Sequence, residues 1–194
     1  MASNKKYTVK FRRKRESKTD YLKRRKLISS RKTRLVIRKQ VGTIIVQFVN
    51  FDAKGDKILS SATSQELSKF NWNFKKDNLS SAYLTGLLAG VRAKKNLKFA
   101  VLDIGLRQSV KGSSLYASLK GVLDAGIEVP HSDAVLPSSE RIKGEHIINY
   151  ANILKGESEE LYKKQFSGYI KKNINIMDIT KQFDLVKEQI LKEK

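Results

Sequence analysis

Between Phe11 and Arg25 the chain interleaves cations with aromatic rings. Phe11 leads into Arg12, Arg13, Lys14 and Arg15; Lys18 precedes Tyr21; and Lys23, Arg24 and Arg25 follow it. Arg and Lys neutralise phosphates, Arg as a planar fork, while Phe and Tyr faces stack on bases or sugars. Tyr7 extends the same pattern toward the N-terminus. A solvated charge run is the plainer alternative, but the interleaved rings favour an arm that folds on RNA. Asp20 is the odd residue in this stretch. It either pairs with a neighbouring cation or caps a helix beginning at Tyr21, since Asp is a good N-cap. Two further groups suit phosphate: Arg34 and Arg38, presented from a first strand, and Lys111, Ser113 and Ser114, at the start of a helix where backbone N–H groups point outward.

Catalysis is the competing chemistry. A metal-dependent nuclease needs carboxylates converging on a divalent ion. Asp103 lies at the end of an apolar run that reads as a buried strand, the usual place for a site. The first strand, around Leu35-Val-Ile37, offers no acid, and Asp124 and Glu128 have no matching spacing. Both histidines lie in short polar stretches, Pro130-His-Ser-Asp133 and Glu145-His146, without the tighter ligand set of a zinc site. There is no Gly-x-Ser-x-Gly elbow and no Gly-x-x-x-x-Gly-Lys-Ser/Thr phosphate loop. The expectation is therefore no catalytic residue, no metal and no cofactor. The nuclease reading, led by Asp103, and a free RNA chaperone using only the arm stand as the other function classes.

The charge balance supports a polyanionic partner. The 194 residues hold 40 Lys+Arg against 19 Asp+Glu, a net +21. Residues 1–39 alone contribute 17 cations against Glu16 and Asp20. A surplus so concentrated must sit beside a polyanion or repel itself. No stretch approaches the roughly 18 to 20 apolar residues of a membrane span. The absence of cysteine removes disulfides and thiolate ligands and fits a reducing cytoplasm.

The elements that must hold these groups read as α/β. Arg34-Leu-Val-Ile-Arg38, Thr43 to Phe51 and Lys57 to Thr63 are β-branched and aromatic runs joined by short turns at Gly42 and at Ala53-Lys-Gly-Asp56, an antiparallel meander. Leu79, Ala82, Tyr83, Gly86, Leu87, Gly90 and Val91 recur at helical spacing, with Gly86 and Gly90 placed for close packing. Phe99 to Ile104 predicts a buried parallel strand, Leu115 to Leu123 a second helix stopped at Gly126, and Ile127 to Pro130 a last strand. The order βββαβαβ implies a mixed five-stranded sheet with right-handed crossovers. Three units are expected: a basic arm at 1–33, a globular α/β domain at 34–139 and a helical extension at 140–194. In the extension, Tyr162, Phe166, Tyr169 and Ile170 form one apolar stripe, and Ile179, Phe183, Val186 and Ile190 another, with Asp178 as the expected N-cap. Such stripes predict docking on the domain or on a neighbouring protein.

Phe11-Arg-Arg-Lys-Arg-Glu-Ser-Lys-Thr-Asp-Tyr21 resembles the N-terminal signature of the archaeal and eukaryotic branch of the ribosomal protein eighteen family, the 5S rRNA binders. The likeness continues through Ala82-Tyr-Leu-Thr-Gly-Leu-Leu88, Leu102-Asp-Ile-Gly-Leu106, Leu119-Lys-Gly-Val-Leu-Asp-Ala-Gly126, Pro130-His-Ser132 and Tyr162-Lys-Lys-Gln-Phe-Ser-Gly-Tyr-Ile170. These blocks stand in the family's order over nearly the whole chain. Two departures are visible: Ser17 replaces the family's usual Gly, and Arg38-Lys-Gln-Val-Gly42 lacks the polar Ser/Thr-Asn step after the first strand. The resemblance implies a ribonuclease-H-like sheet without nuclease chemistry and an architectural role in the central protuberance of the large ribosomal subunit. It also implies 5S rRNA, large-subunit rRNA and a neighbouring 5S-binding ribosomal protein as partners. The expected setting is cytoplasmic, on the large subunit, with no membrane and no homo-oligomer.

Overall fold

Alternation decides the sheet. In the computed structural model, which describes residues 8–193, β1 (Arg34–Gln40), β2 (Thr43–Asn50) and β3 (Lys57–Thr63) form the meander, and β4 (Val101–Asp103) joins its far side. The strand order is β3-β2-β1-β4, with β1 antiparallel to β2 and parallel to β4. The β1–β2 turn is only Val41-Gly42, and Gly42 takes a φ of 71°. Positive φ at the second central residue is what a type II turn requires, and only glycine adopts it without cost. Leu35 and Ile37 of β1 and Ile44, Val46 and Phe48 of β2 are buried on one face. Helices α3 (Leu79–Ala93) and α4 (Ser114–Asp124) cover that face.

These two helices touch backbone to backbone. A Cβ added at Gly86 would lie 2.0 Å from the Ser118 carbonyl oxygen, and one at Gly121 would lie 2.1 Å from that of Tyr83. Neither obstacle is a side chain that can swing away. Gly86→Ala is therefore expected to cost about 3 kcal/mol, the top of the usual overpacking range, and to lower the Tm by roughly 6–12 °C. Urea and thermal unfolding measure this; a loss below about 1 kcal/mol would show that the helices part freely.

The expected fifth strand is not formed. Glu128 makes only an isolated parallel bridge with Phe99, and Pro130 ends the pairing by removing a donor. The strand expected at Phe99 to Ile104 is correspondingly short. Beyond Asp103 the chain turns away through Gly105 at φ 64°, its N–H held 2.9 Å from the Asp103 carboxylate.

The C-terminal segment docks on the domain. It comprises α5 (Ser139–Lys143), α6 (Glu145–Glu157), α7 (Glu159–Gln165), α8 (Ser167–Ile170) and α9 (Ile179–Lys192). The α9 stripe of Ile179, Phe183, Val186 and Ile190 joins the main core, with the Phe183 ring 5.4 Å from that of Tyr83. Arg92 of α3 ties down its end, 3.0 Å from Glu193. Ala151, Leu154, Phe166 and Ile176 form a second, smaller cluster, and Tyr169 accepts from the Lys75 N–H at 3.3 Å. Asp178 sits at the N-cap position of α9 but makes no side-chain cap. A 3-10 turn, Ile176–Asp178, runs straight into the helix, and capping moves back to Asn175, which accepts from the Met177 N–H at 3.2 Å.

Candidate nucleic-acid interface

The arm is two short helices folded on each other, α1 (Arg12–Arg15) and α2 (Tyr21–Ser29). Tyr7 lies outside the described residues. Ser17 turns the chain between the helices at a φ of 51°, the left-handed backbone that favours glycine. Serine here holds a strained backbone conformation that a glycine would adopt without cost. The Phe11 and Tyr21 rings pack 5.0 Å apart and close the turn, yet Phe11 stays 70% exposed, leaving ring surface for a base. Arg13 donates from Nε to the Thr19 hydroxyl at 2.9 Å. Asp20 resolves as the helix cap: its carboxylate accepts from the N–H groups of Leu22 at 3.0 Å and Lys23 at 3.2 Å.

Side-chain ion pairs dock this arm on the sheet. Arg24 of α2 reaches Asp56 at 3.0 Å, and the other oxygen of Asp56 meets Arg34 at 2.6 Å. Arg34 continues to Asp103 at 3.3 Å, and Asp103 also meets Arg38 at 2.9 Å. The register explains the cluster. Leu35 and Ile37 point into the core, so Arg34, Val36 and Arg38 point to the opposite face, where Asp103 stands in register with Val36. Partial burial of Asp56 opposes its ionisation, but the hydrogen bonds and charges of Arg24 and Arg34 outweigh that and hold its carboxyl below its ordinary value of 3.8.

Arg34 thus departs from expectation. Its side chain is 3% exposed and held by two carboxylates, so its charge is neutralised inside the protein rather than presented. Asp103 is equally committed, with both oxygens in ion pairs and one also accepting from Gly105. Among the described residues, no group of three His, Cys, Asp or Glu could hold a metal ion. His131 hydrogen-bonds the Val129 carbonyl at 2.7 Å.

Between the arm and the carboxyl ends of the parallel pair β1 and β4 lies a cleft of about 650 Å³. Such crevices are where open α/β sheets bind ligands. Of the residues singled out in the sequence, Arg13, Lys18, Lys23, Arg24 and Arg38 line it. Lys26, Lys39 and Arg107 line it too and were missed, although Arg107 follows the Leu102 to Leu106 block and so had to lie at a strand's carboxyl end. Leu27, Leu102, Ile104 and Leu106 give it apolar surface. Phe11, Arg12, Lys14, Arg15, Tyr21 and Arg25 belong to the arm outside the cleft. Lys111, Ser113 and Ser114 are not in the cleft either. They begin α4, where Lys111 is exposed and the buried Ser113 hydroxyl has no hydrogen-bond partner among the described residues.

Residues 5–100 and 93–132 match the family described as "Ribosomal large subunit proteins 60S L5, and 50S L18". The chain is 50% identical to "Large ribosomal subunit protein uL18" of Korarchaeum cryptofilum over 191 residues, covering 98% of this chain and 97% of that protein. It is 47% identical to the protein of the same name from Methanococcus maripaludis over 192 residues, covering 98% and 99%.

Proposed function

The chain belongs to the uL18 family of large-ribosomal-subunit proteins, and on that premise we propose that it binds 5S rRNA and helps anchor it to large-subunit rRNA in the central protuberance. As a ribosomal structural protein it is not an enzyme, and its place is the large subunit. No helix among the described residues is long and apolar enough to cross a membrane.

The observation that carries the RNA reading is the cleft, where eight cations from arm and sheet face two carboxylates, Asp20 and Asp103. Those carboxylates are engaged in the α2 cap and in the Arg34–Arg38 cluster, so the rim presents net positive charge. Arm residues Arg12, Arg13, Lys14, Arg15 and Lys18 neutralise phosphates, and Lys23, Arg24, Arg25 and Arg38 continue the track. Phe11 and Tyr21 offer a paired aromatic surface, and Lys111 and Ser114 a second phosphate contact, which the buried Ser113 hydroxyl does not reach. Selectivity comes from RNA shape, because A-form major grooves do not admit side chains. A single copy acts beside a second 5S-binding ribosomal protein.

The test is a binding titration at one salt concentration against 5S rRNA and against an unrelated structured RNA of equal length. Binding to 5S rRNA should be at least roughly tenfold tighter, because shape recognition adds to the phosphate attraction both RNAs share. Equal affinities would reduce the protein to a general RNA clamp.

A further inference from the structure

The cleft has a feature that phosphate attraction leaves unused. Part of its lining is aliphatic and serves as a floor, Leu27 of α2 and Leu106 beyond β4, beside Leu102 and Ile104, which also pack on the main core; exposed cations such as Lys26 and Arg107 form its rim. We propose that the cleft receives one unpaired nucleotide of the RNA, with the base on the aliphatic floor and its phosphate on the cationic rim. This rests on the RNA-binding reading above and adds a ligand chemistry to it.

Three observations carry the proposal. The volume, about 650 Å³, falls in the range of roughly 300–1,000 Å³ usual for small-molecule sites. A base-paired helix is far too wide to enter, so RNA can reach the floor only with a splayed-out residue, and such residues are the commonest targets of specific RNA recognition. Leu106 is 49% exposed although it lies beside the cleft, and a base laid against it would remove that apolar surface from water. A lone phosphate would need only the rim. The walls are also built to keep their shape. Arg38 is held by the Asp103 carbonyl at 2.6 Å and the Ile37 carbonyl at 2.9 Å, and Arg107 by the Lys39 carbonyl at 3.1 Å. These bonds fix Arg38 and Arg107 on the sheet side of the cleft, which lowers the cost of ordering them on binding.

The experiment uses the full chain labelled for amide NMR. Adenosine monophosphate and, separately, inorganic phosphate are titrated at matched ionic strength. The nucleotide should shift the amides of Leu27 and of residues 102–106 as well as those of the rim, whereas phosphate should shift the rim alone. Identical shifts from the two probes would overturn the proposal. A second measurement fills the cleft with Leu106→Trp, its folding verified by thermal unfolding. Affinity for 5S rRNA should fall roughly tenfold, on the scale of one lost base contact, with the salt dependence unchanged. Undiminished affinity in that variant would overturn the proposal even where the wild-type protein prefers 5S rRNA. Floor shifts with adenosine monophosphate in a protein lacking that preference would instead uphold the cleft and reject the 5S assignment.

Discussion

Asp103→Ala should destabilise the protein by about 3–5 kcal/mol, the cost of breaking a buried ion pair by removing one partner. The Asp103 side chain is 9% exposed and that of Arg34 only 3%, so water cannot replace the lost carboxylate. Asp56 remains at 2.6 Å from Arg34, but it is 26% exposed and shared with Arg24. The same substitution frees the Gly105 N–H and unties Arg38 from the end of β4, loosening one wall of the cleft. Against a usual stability of about 5–15 kcal/mol, that is a large share. Asp52→Ala is the control. It breaks an ion pair of 2.7 Å to Lys57, whose side chain is 74% exposed, and should change stability by less than about 0.5 kcal/mol. Urea midpoints for both variants decide the matter; a loss below about 1 kcal/mol for Asp103→Ala would show that Arg34 finds water or another partner. An acid that would first be suspected of holding metal is thereby assigned to holding the frame.

The combined variant Arg13→Gln, Lys23→Gln, Lys26→Gln and Arg107→Gln should flatten the dependence of log K on log salt by about 3 units. Each neutralised phosphate contributes roughly 0.7 to 0.9, and counterions released by four cations set that sum. All four line one cleft, drawn from α1, α2 and the loop after β4. The comparison variant changes Lys163, Lys164, Lys171 and Lys172, which carry the same charge on exposed positions of the C-terminal segment. Equal flattening in both variants would mean that net charge, rather than the cleft, governs binding. An unflattened slope in the first variant would move the phosphate track elsewhere on the arm.

Periodicity alone determined much of this protein. The β-branched and aromatic runs at 34–38, 43–51 and 57–63 name the strands of the meander, and the three-and-four spacing from Leu79 to Val91 names the helix that covers it. The concentration of charge before residue 40 names a polyanion as the class of partner, and Asp20 ahead of Tyr21 offers a helix start as one of two readings, the one the structure adopts. These are local properties, set by the pleat, the helical turn and the cap, and a short window of residues contains them.

Tertiary structure decided what those windows cannot contain. Arg34 reads as one more exposed cation until the sheet places it against Asp56, 22 residues away, and Asp103, 69 residues away. Lys26, Lys39 and Arg107 are unremarkable in sequence and become neighbours only because β1 and β4 run parallel, with their carboxyl ends toward the cleft that α2 also lines. The strand expected at Ile127 was lost at Pro130: β4 lies alongside, but the proline has no N–H to continue the ladder past Glu128. Local pattern says which side of an element faces inward. Which charges meet, and whether they face RNA or each other, depends on strand register and crossover, and those form only when distant segments pack.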